Sequence, residues 1–289
     1  MSTEQSSESG AGMESVSAVI VLAAGGGTRM KSATSKLLHT IAGRPMLSYA
    51  VNAAEELNPR HLVVVVGHQR EQVMAHLSEI APQAEIAVQD QLNGTGGAVR
   101  AALDVLPADL TGEVVVTYGD VPLLQADTLA TLVQAHRAGA HAVTILTATV
   151  PDPTGYGRII RSGGQVQAIV EHRDATDDQL AIHEINSGIY VFDAQSLRAG
   201  VAQLSADNAQ GELYLTDVIT HAHGHGGHVS GVPTDDLWQT QGINDRVQLS
   251  EVNAELNRRI LRHWMLEGVT VVDPANTWVD ADVDLAPDV

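Results

Sequence analysis

The stretch VIVLAAGGGTRM, residues 19–30, limits what this chain can fold into more than any other. Its β-branched residues Val19, Ile20 and Val21 read as a strand buried on both faces. The run then breaks into Gly25, Gly26 and Gly27, and at Thr28, Arg29 and Met30 a helix is expected to open. Strand, glycine turn and helix start together make a phosphate cradle. Glycine lets a polyphosphate approach the backbone with no Cβ in the way, the N–H groups of the turn face the anion, and Arg29 adds a forked cation. Two other glycine motifs do not fit. The dinucleotide fingerprint G-x-G-x-x-G finds Met30 in place of its third glycine, and the next apolar run ends in Gly67-His68 with no acid for a ribose. The P-loop G-x-x-x-x-G-K-[ST] has no frame that uses Lys31 or Lys36.

A chain of 289 residues, 44% of them hydrophobic, is long enough for one large α/β domain or a domain with an appendage. Phe192 is the only phenylalanine, so the core must be aliphatic, as strands covered on both faces demand. With no cysteine, disulfides, thiolate metal sites and cysteine nucleophiles are excluded. No basic start with an apolar stretch leads the chain and no run approaches the roughly 20 apolar residues of a membrane span, so a cytoplasmic protein is expected. The net charge of −19 argues against nucleic acid or an anionic membrane as partner, since both need clustered cations. An anionic ligand at the glycine turn is compatible with that charge only if positive charge is local. The two lysines, Lys31 and Lys36, both follow the glycines beside Arg29, and a divalent metal would supply the rest. Lys31 also fits a solvated surface position.

Residues 1–15, rich in Ser, Glu and Gly, are expected to be a disordered tail. Helix (45–57) and strand (62–66) follow the first strand and give a parallel βαβ unit. A helix at 71–80 and a strand at 85–88 precede a second glycine turn, Gly94-Thr95-Gly96-Gly97, which opens a helix through Leu106. The strand 113–117 ends in Tyr118-Gly119-Asp120, beyond the carboxyl edge where α/β sheets bind ligands. Asp120 there suits either a metal held against phosphate or an Asx turn before Pro122. After a helix (127–138) and a strand (142–150) the texture changes to a β-rich excursion through strands at 159–160 and 166–170. Glu171 closes it, and the turn-like Asn186-Ser187-Gly188 leads into a strand at 189–192. Both Glu171 and Asn186 suit sugar hydroxyls as well as ordinary turns. The histidines of HAHGHGGH, 221–228, reach for a metal only weakly, and the glycines suggest a mobile loop. A long helix follows Asn244-Asp245, with an apolar stripe at Leu249, Val252, Leu256, Ile260 and Trp264, then a strand at 269–272.

The motifs LAAGGGTRMKS, SKLLHTIAGRPML, VVVTYGDVPLL, DPTGYGRIIR, EINSGIYVFD, NAQGELYLTDVI and GINDRVQLS resemble the N-terminal half of the bacterial bifunctional N-acetylglucosamine-1-phosphate uridylyltransferase / glucosamine-1-phosphate acetyltransferase family, across residues 16–289. The resemblance implies an α/β Rossmann-like nucleotidyltransferase fold, a mixed, mostly parallel sheet with helices on both faces and a small β-rich sugar lobe. It divides the chain into a catalytic domain at 16–245 and, at 246–289, a linker helix with the start of a left-handed β-helix. It implies transfer of uridylyl from UTP to N-acetylglucosamine 1-phosphate, a step toward cell-wall precursors. By the family's pattern Leu22, Ala23, Ala24 and Gly25 contact the nucleotide, Arg29 and Lys36 handle its phosphates, and Gln89, Gly94 and Thr95 read uracil. Tyr118, Gly119 and Asp120 line the ribose and metal side; Gly157, Glu171, Asn186, Tyr214 and Thr216 hold the N-acetylsugar; Asp120 and Asn244 bind Mg²⁺. The family's acetyltransferase and its trimer contacts lie in the β-helix, so no acetyltransfer is assigned here and a monomer is expected.

This chain departs from that pattern at four places. Ser35 stands where the family has proline, Asn93 where it has leucine, Gly97 where it has histidine, and Asp245 where it has a second asparagine. Ser35 is expected to loosen the backbone that aims Lys36 and Gly97 to weaken its helix start, while Asp245 either tightens Mg²⁺ binding or caps the long helix. Two other readings stand beside the uridylyltransferase: a related pyrophosphorylase with another base or sugar, and a non-catalytic sugar-nucleotide binder.

Overall fold

A computed structural model describes residues 15–289; the expected tail, apart from Ser15, lies outside them. In chain order the elements are β1 (Ala18–Ala23), β2 (Thr40–Ile41), β3 (Arg44–Pro45), α1 (Met46–Glu55), β4 (His61–Val66), α2 (Arg70–Ile80), β5 (Glu85–Val88), α3 (Thr95–Val105), β6 (Glu113–Tyr118), α4 (Ala126–Gly139), β7 (Val143–Thr149), β8 (Arg158–Ser162), β9 (Gln165–Val170), α5 (Asp177–Leu180), β10 (Glu184–Asp193), α6 (Ala194–Ala202), α7 (Asp217–Gly224), β11 (Val229–Pro233) and α8 (Arg246–Leu266).

The main sheet runs β11-β7-β10-β6-β1-β4-β5. β1 pairs in parallel with β4 and β6, β5 in parallel with β4, and β11 in parallel with β7, while β10 lies antiparallel between β6 and β7. This is the mixed, mostly parallel sheet that the apolar runs require. All six residues of β1 are buried, because successive side chains enter two separate cores. Val19 and Val21 pack under α1, while Ala18, Ile20 and Leu22 face α3 and α6. The hairpin of β8 and β9 joins the start of β10 through Ile185 and Arg158 and forms the smaller β-rich lobe.

Several local expectations are corrected. Thr28–Met30 is a single 3-10 turn with left-handed residues at both ends, Gly27 (φ 57) and Lys31 (φ 50), so no α-helix begins before Met46. Asn186 is not at a strand end but within β10, whose register with β7 shifts between Asn186 and Tyr190. The first half of the His221–His228 segment continues α7 to Gly224, and the expected loop is confined to residues 225–228. Residues 269–272 form no strand, although within them Thr270 N–H donates to Val289 O and, just before them, Gly268 O accepts from Asp288 N–H. On α8 the most buried residues are Val252, Glu255, Asn257 and Leu261 rather than the whole apolar stripe. Polar anchoring explains the shift. Asn257 donates to Thr277 O and accepts from Val279 N–H, and Glu255 pairs with Arg258 and Arg259. Asp245 is the N-cap, its Oδ1 accepting from the backbone N–H groups of Val247 and Gln248, which answers the sequence's open choice in favour of helix capping.

Candidate active site

The carboxyl ends of β1 and β6 lie side by side, held by Gly119 N–H donating 2.9 Å to Leu22 O. From β1 the chain enters the glycine turn and comes back through a second 3-10 turn, Lys36–Leu38. The two turns touch at Gly27, whose missing Cβ would lie 2.8 Å from Lys36 Cβ. Lys36 is thereby packed in, 9% exposed, and its Nζ donates to Asp120 Oδ2 at 2.5 Å and to Asn244 Oδ1 at 3.4 Å.

Asn244 comes from far along the chain. Ile243 N–H donates 2.9 Å to Asp120 O, which stitches the 242–245 loop to the end of β6, and Gln248 Oε1 accepts from Asn244 N–H at 2.7 Å. Ser35, where the resemblance has proline, keeps φ at −53 and uses the N–H that proline lacks to donate 2.9 Å to Gln72 Oε1. The looser backbone expected ahead of Lys36 is therefore tied to α2.

Two clefts meet at this point. One, of about 380 Å³, is lined by Leu22, Ala23, Ala24, Gly25, Lys36, Gln89, Gly94, Thr95, Tyr118 and Asp120, with Gly26, Leu92 and Glu212 also on its wall. The space beside Gly25, where a Cβ would sit, is open for 4 Å. The other, of about 470 Å³ and more polar, is lined by Arg29, Thr95, Tyr118, Asp120, Gly157, Glu171, Asn186, Thr216 and Asn244, together with Tyr190, Gly242 and Gln248. Thr95, Tyr118 and Asp120 belong to both walls. A ligand in one cleft and a ligand in the other therefore confront each other across Asp120.

The second cleft is built by unusual backbone. The bulge in β10 puts Gly188 at φ 85, and a Cβ there would strike the Tyr118 ring at 2.6 Å. Asn186 Oδ1 accepts from Gly188 N–H, and its Nδ2 donates 2.7 Å to the Tyr190 hydroxyl. Thr216 hydroxyl donates 3.1 Å to Glu171 Oε1, while burial pushes the Glu171 carboxyl above the usual range. Burial also raises the Tyr118 and Tyr190 hydroxyls, keeping both neutral hydrogen-bonding groups.

Of the residues singled out by sequence, Gly119 and Tyr214 stand apart from both linings. Gly119 lies behind the cleft, where a Cβ would meet Leu47 Cδ1 at 2.9 Å; the Tyr214 hydroxyl donates 3.3 Å to Asp174 Oδ2. Arg29 sits on the polar cleft and, among the described residues, makes no ion pair or hydrogen bond. Its guanidinium is therefore uncommitted, unlike that of Arg137, which is paired with Glu113. Sequence reasoning passed over Glu212, Tyr190 and Gln248. Tyr190 follows from strand alternation beyond Asn186, but nothing local to the sequence marks Gln248 as a cleft residue.

The donor set suits a hard cation. Asp120 Oδ2 and Asn244 Oδ1 both turn toward one positive centre, the Lys36 ammonium, and Mg²⁺ characteristically takes one or two protein oxygens and leaves its other positions to water and phosphate. Among the described residues no three His, Asp or Glu side chains converge as a complete metal cage. His221 and His225 do not offer one either. Their rings stack at 4.1 Å, and His225 Nδ1–H donates to His221 O.

Residues 19–216 match the MobA-like NTP transferase domain. The chain is 61% identical over 280 residues to the bifunctional protein GlmU of Cutibacterium acnes, covering 95% of this chain and 67% of that protein. It is 55% identical over 272 residues to the GlmU of Kineococcus radiotolerans, covering 94% of this chain and 55% of that one. Thus the chain spans between about half and two thirds of the length of these curated relatives. A crystal structure of a putative glucose-1-phosphate thymidylyltransferase from Bacillus anthracis, in complex with a sucrose, superposes with a TM-score of 0.62 at 21% identity. It covers 83% of this chain and 94% of its own, a likeness of fold. The chain belongs to the family of the bifunctional GlmU proteins and carries the MobA-like NTP transferase domain.

Proposed function

We propose that this chain transfers a uridylyl group from UTP to N-acetylglucosamine 1-phosphate, releasing pyrophosphate. The observation that carries the reading is the meeting of the two clefts at Asp120, with Lys36 and Asn244 beside it. A nucleotide fits the cleft under the glycine turn, with its base toward Gln89, Gly94 and Thr95 and its phosphates toward Gly25 and Lys36. The N-acetylsugar fits the polar cleft, where Gly157, Glu171, Asn186 and Thr216 face hydroxyl and amide groups, its 1-phosphate directed toward Asp120. Tyr214 lies off that wall, its hydroxyl bonded to Asp174.

A sugar phosphate is already an anionic nucleophile, so the reaction needs neither a general base nor a covalent enzyme intermediate. Its oxygen attacks the α-phosphorus in line and the bond to the pyrophosphate oxygen breaks. What the protein must supply is position and opposite charge. Lys36, held in place by Gly27, meets the charge that builds on the departing pyrophosphate, and the uncommitted Arg29 guanidinium provides a second, forked cation at the same junction. Asp120 and Asn244 would hold a Mg²⁺, which when bound neutralises charge shared by nucleophile and α-phosphate.

The test is pyrophosphate release from UTP and N-acetylglucosamine 1-phosphate with and without Mg²⁺, repeated with each other nucleoside triphosphate and sugar 1-phosphate. Release that requires UTP, the N-acetylsugar and Mg²⁺ together supports the proposal. Preference for another pair would make the chain a different pyrophosphorylase, and tight binding of UDP-N-acetylglucosamine without release would make it a binding protein.

A further inference from the structure

Behind Gln89, on the wall of the cleft read as the nucleotide site, stands a pair of residues whose identities only make sense together, Asn93 and Gly97. A Cβ added at Gly97 would lie 1.8 Å from Asn93 Oδ1 and 2.6 Å from Asn93 Cγ. The Asn93 carboxamide thus occupies the volume that any side chain at position 97 would need. That carboxamide is also in use, because Gln89 Nε2 donates to Asn93 Oδ1 and to Gly94 O, each at 3.0 Å.

The Gln89 side chain is buried to 7% exposure and lines the cleft. With both Nε2 hydrogens directed at Asn93 and Gly94, the Gln89 Oε1 takes no hydrogen bond from any described residue. The segment is tied to residues 213–215 by hydrogen bonds. Leu213 N–H donates 2.8 Å to Asn93 O, Gly96 N–H donates 2.8 Å to Leu213 O, and Leu215 N–H donates 3.1 Å to Thr95 Oγ1.

We propose that Asn93 is a positioning residue for base selection: it holds the Gln89 carboxamide with Oε1 toward the base, and Gly97 is the vacancy that admits it. An acceptor presented there favours a pyrimidine whose ring nitrogen carries a hydrogen, as N3 of uracil does. Cytosine offers a lone pair at the same atom, leaving Oε1 buried against another acceptor, which is the kind of mismatch that discriminates strongly. The inference rests on the reading of this cleft as the nucleotide site.

The experiment is calorimetric titration of the whole chain with UDP and with CDP, for the wild type and for Asn93→Ala, Asn93→Asp, Gly97→Ala and the Asn93→Ala/Gly97→Ala double variant. The wild type is expected to favour UDP. Asn93→Ala should lower the UDP-to-CDP affinity ratio about tenfold, the worth of one hydrogen bond to a buried group. Asn93→Asp, which keeps an oxygen for Gln89 Nε2, should restore it. Gly97→Ala should act like Asn93→Ala, and the double variant should be no worse than either, because both remove the same contact.

An unchanged ratio in Asn93→Ala overturns the proposal. So does equal weakening for both nucleotides, which would mark Asn93 as merely structural, or single effects that multiply in the double variant. If Gly97→Ala does not fold, Asn93→Ala and Asn93→Asp still decide. The functional reading fails separately, if the wild type makes no pyrophosphate from UTP while its UDP-to-CDP ratio still responds to Asn93.

Discussion

Gly27 and Lys36 occupy one another's space: the lysine Cβ stands 2.8 Å from where a side chain at position 27 would begin. The glycine is thus needed twice over, for its left-handed φ of 57 and for the room it leaves. Gly27→Ala should lose about 1–2 kcal/mol of stability to the left-handed backbone alone. It should also displace Lys36 from Asp120 and lower kcat. Urea unfolding beside steady-state pyrophosphate release checks this, and wild-type kcat would show that Lys36 does not depend on that contact.

In the proposed reaction Lys36 and Arg29 meet the same developing charge from different walls. Lys36→Ala and Arg29→Ala should each reduce kcat at least ~10²-fold, the scale of one preorganised electrostatic contact. Their effects on stability should differ. Removing Lys36 strands the Asp120 carboxylate, whereas Arg29 is exposed and makes no internal bond whose loss the fold would feel. Steady-state rates near wild type in either variant would reject its role.

Gly25 offers the converse of Gly27. Its Cβ site is open for 4 Å and its φ is not left-handed, so Gly25→Ala should fold with an unchanged melting temperature. Because Gly25 lines the cleft proposed for the nucleotide, the added methyl should weaken UTP binding about tenfold or more, seen as a raised KM. A fall in melting temperature with unchanged KM would mean that the open space serves the fold and not a ligand.

Away from the site, His136 makes stability depend on pH. It is a buried residue of α4 itself, its Nδ1 at 3.1 Å from Thr144 Oγ1, a hydroxyl that His141 Nδ1 also contacts at 2.9 Å. Burial brings its pKa down to about 4; His141 and Arg137 push the same way, and Glu113 and Asp193 oppose. The unfolded chain, titrating near 6.5, binds the proton more readily than the folded one. Stability is therefore whole above about 6.5 and falls as the pH drops toward 4, by at most about 3 kcal/mol from this group. Denaturant unfolding at pH 7 and pH 5 should show the loss, and His136→Gln should flatten it; equal slopes in both proteins would assign the acid sensitivity elsewhere.

How much could be read from residues alone depended on how local the determining physics was. β1, β4, β5 and β6 announce themselves as aliphatic, β-branched runs, because a strand covered on both faces has no polar side to show. β10 concealed its first half. Asn186-Ser187-Gly188 has turn composition, yet Ser187 hydroxyl bonding to Leu146 O and Asn186 bonding to Gly188 N–H keep the strand going through a bulge. The helix at Ala194–Ala202 was passed over although Asp193, whose Oδ1 accepts from Ser196 N–H, is the sort of N-cap that signals one. The residues gathered at the junction of the clefts were each suggested by a motif. Their convergence was not legible, since Lys36 and Asp120 lie 84 positions apart and Asn244 reaches them only because Ile243 is bonded to the end of β6. The fit of Asn93 to Gly97 was equally hidden: each looked like a separate departure, and only the three-dimensional contact makes them one change.

The reversed direction of β10 has a consequence for how the chain comes together during its synthesis. The two strands that flank it in the main sheet, β6 and β7, emerge from the ribosome earlier, and neither neighbours the other in the finished sheet. Until residues 184–193 are made, those two strands present facing rows of unmet N–H and C=O groups with a strand-wide gap between them. A nascent chain ending before that segment lacks the strand that joins β7 to the rest of the sheet, and its unfilled edges are open to mispairing with other copies of itself.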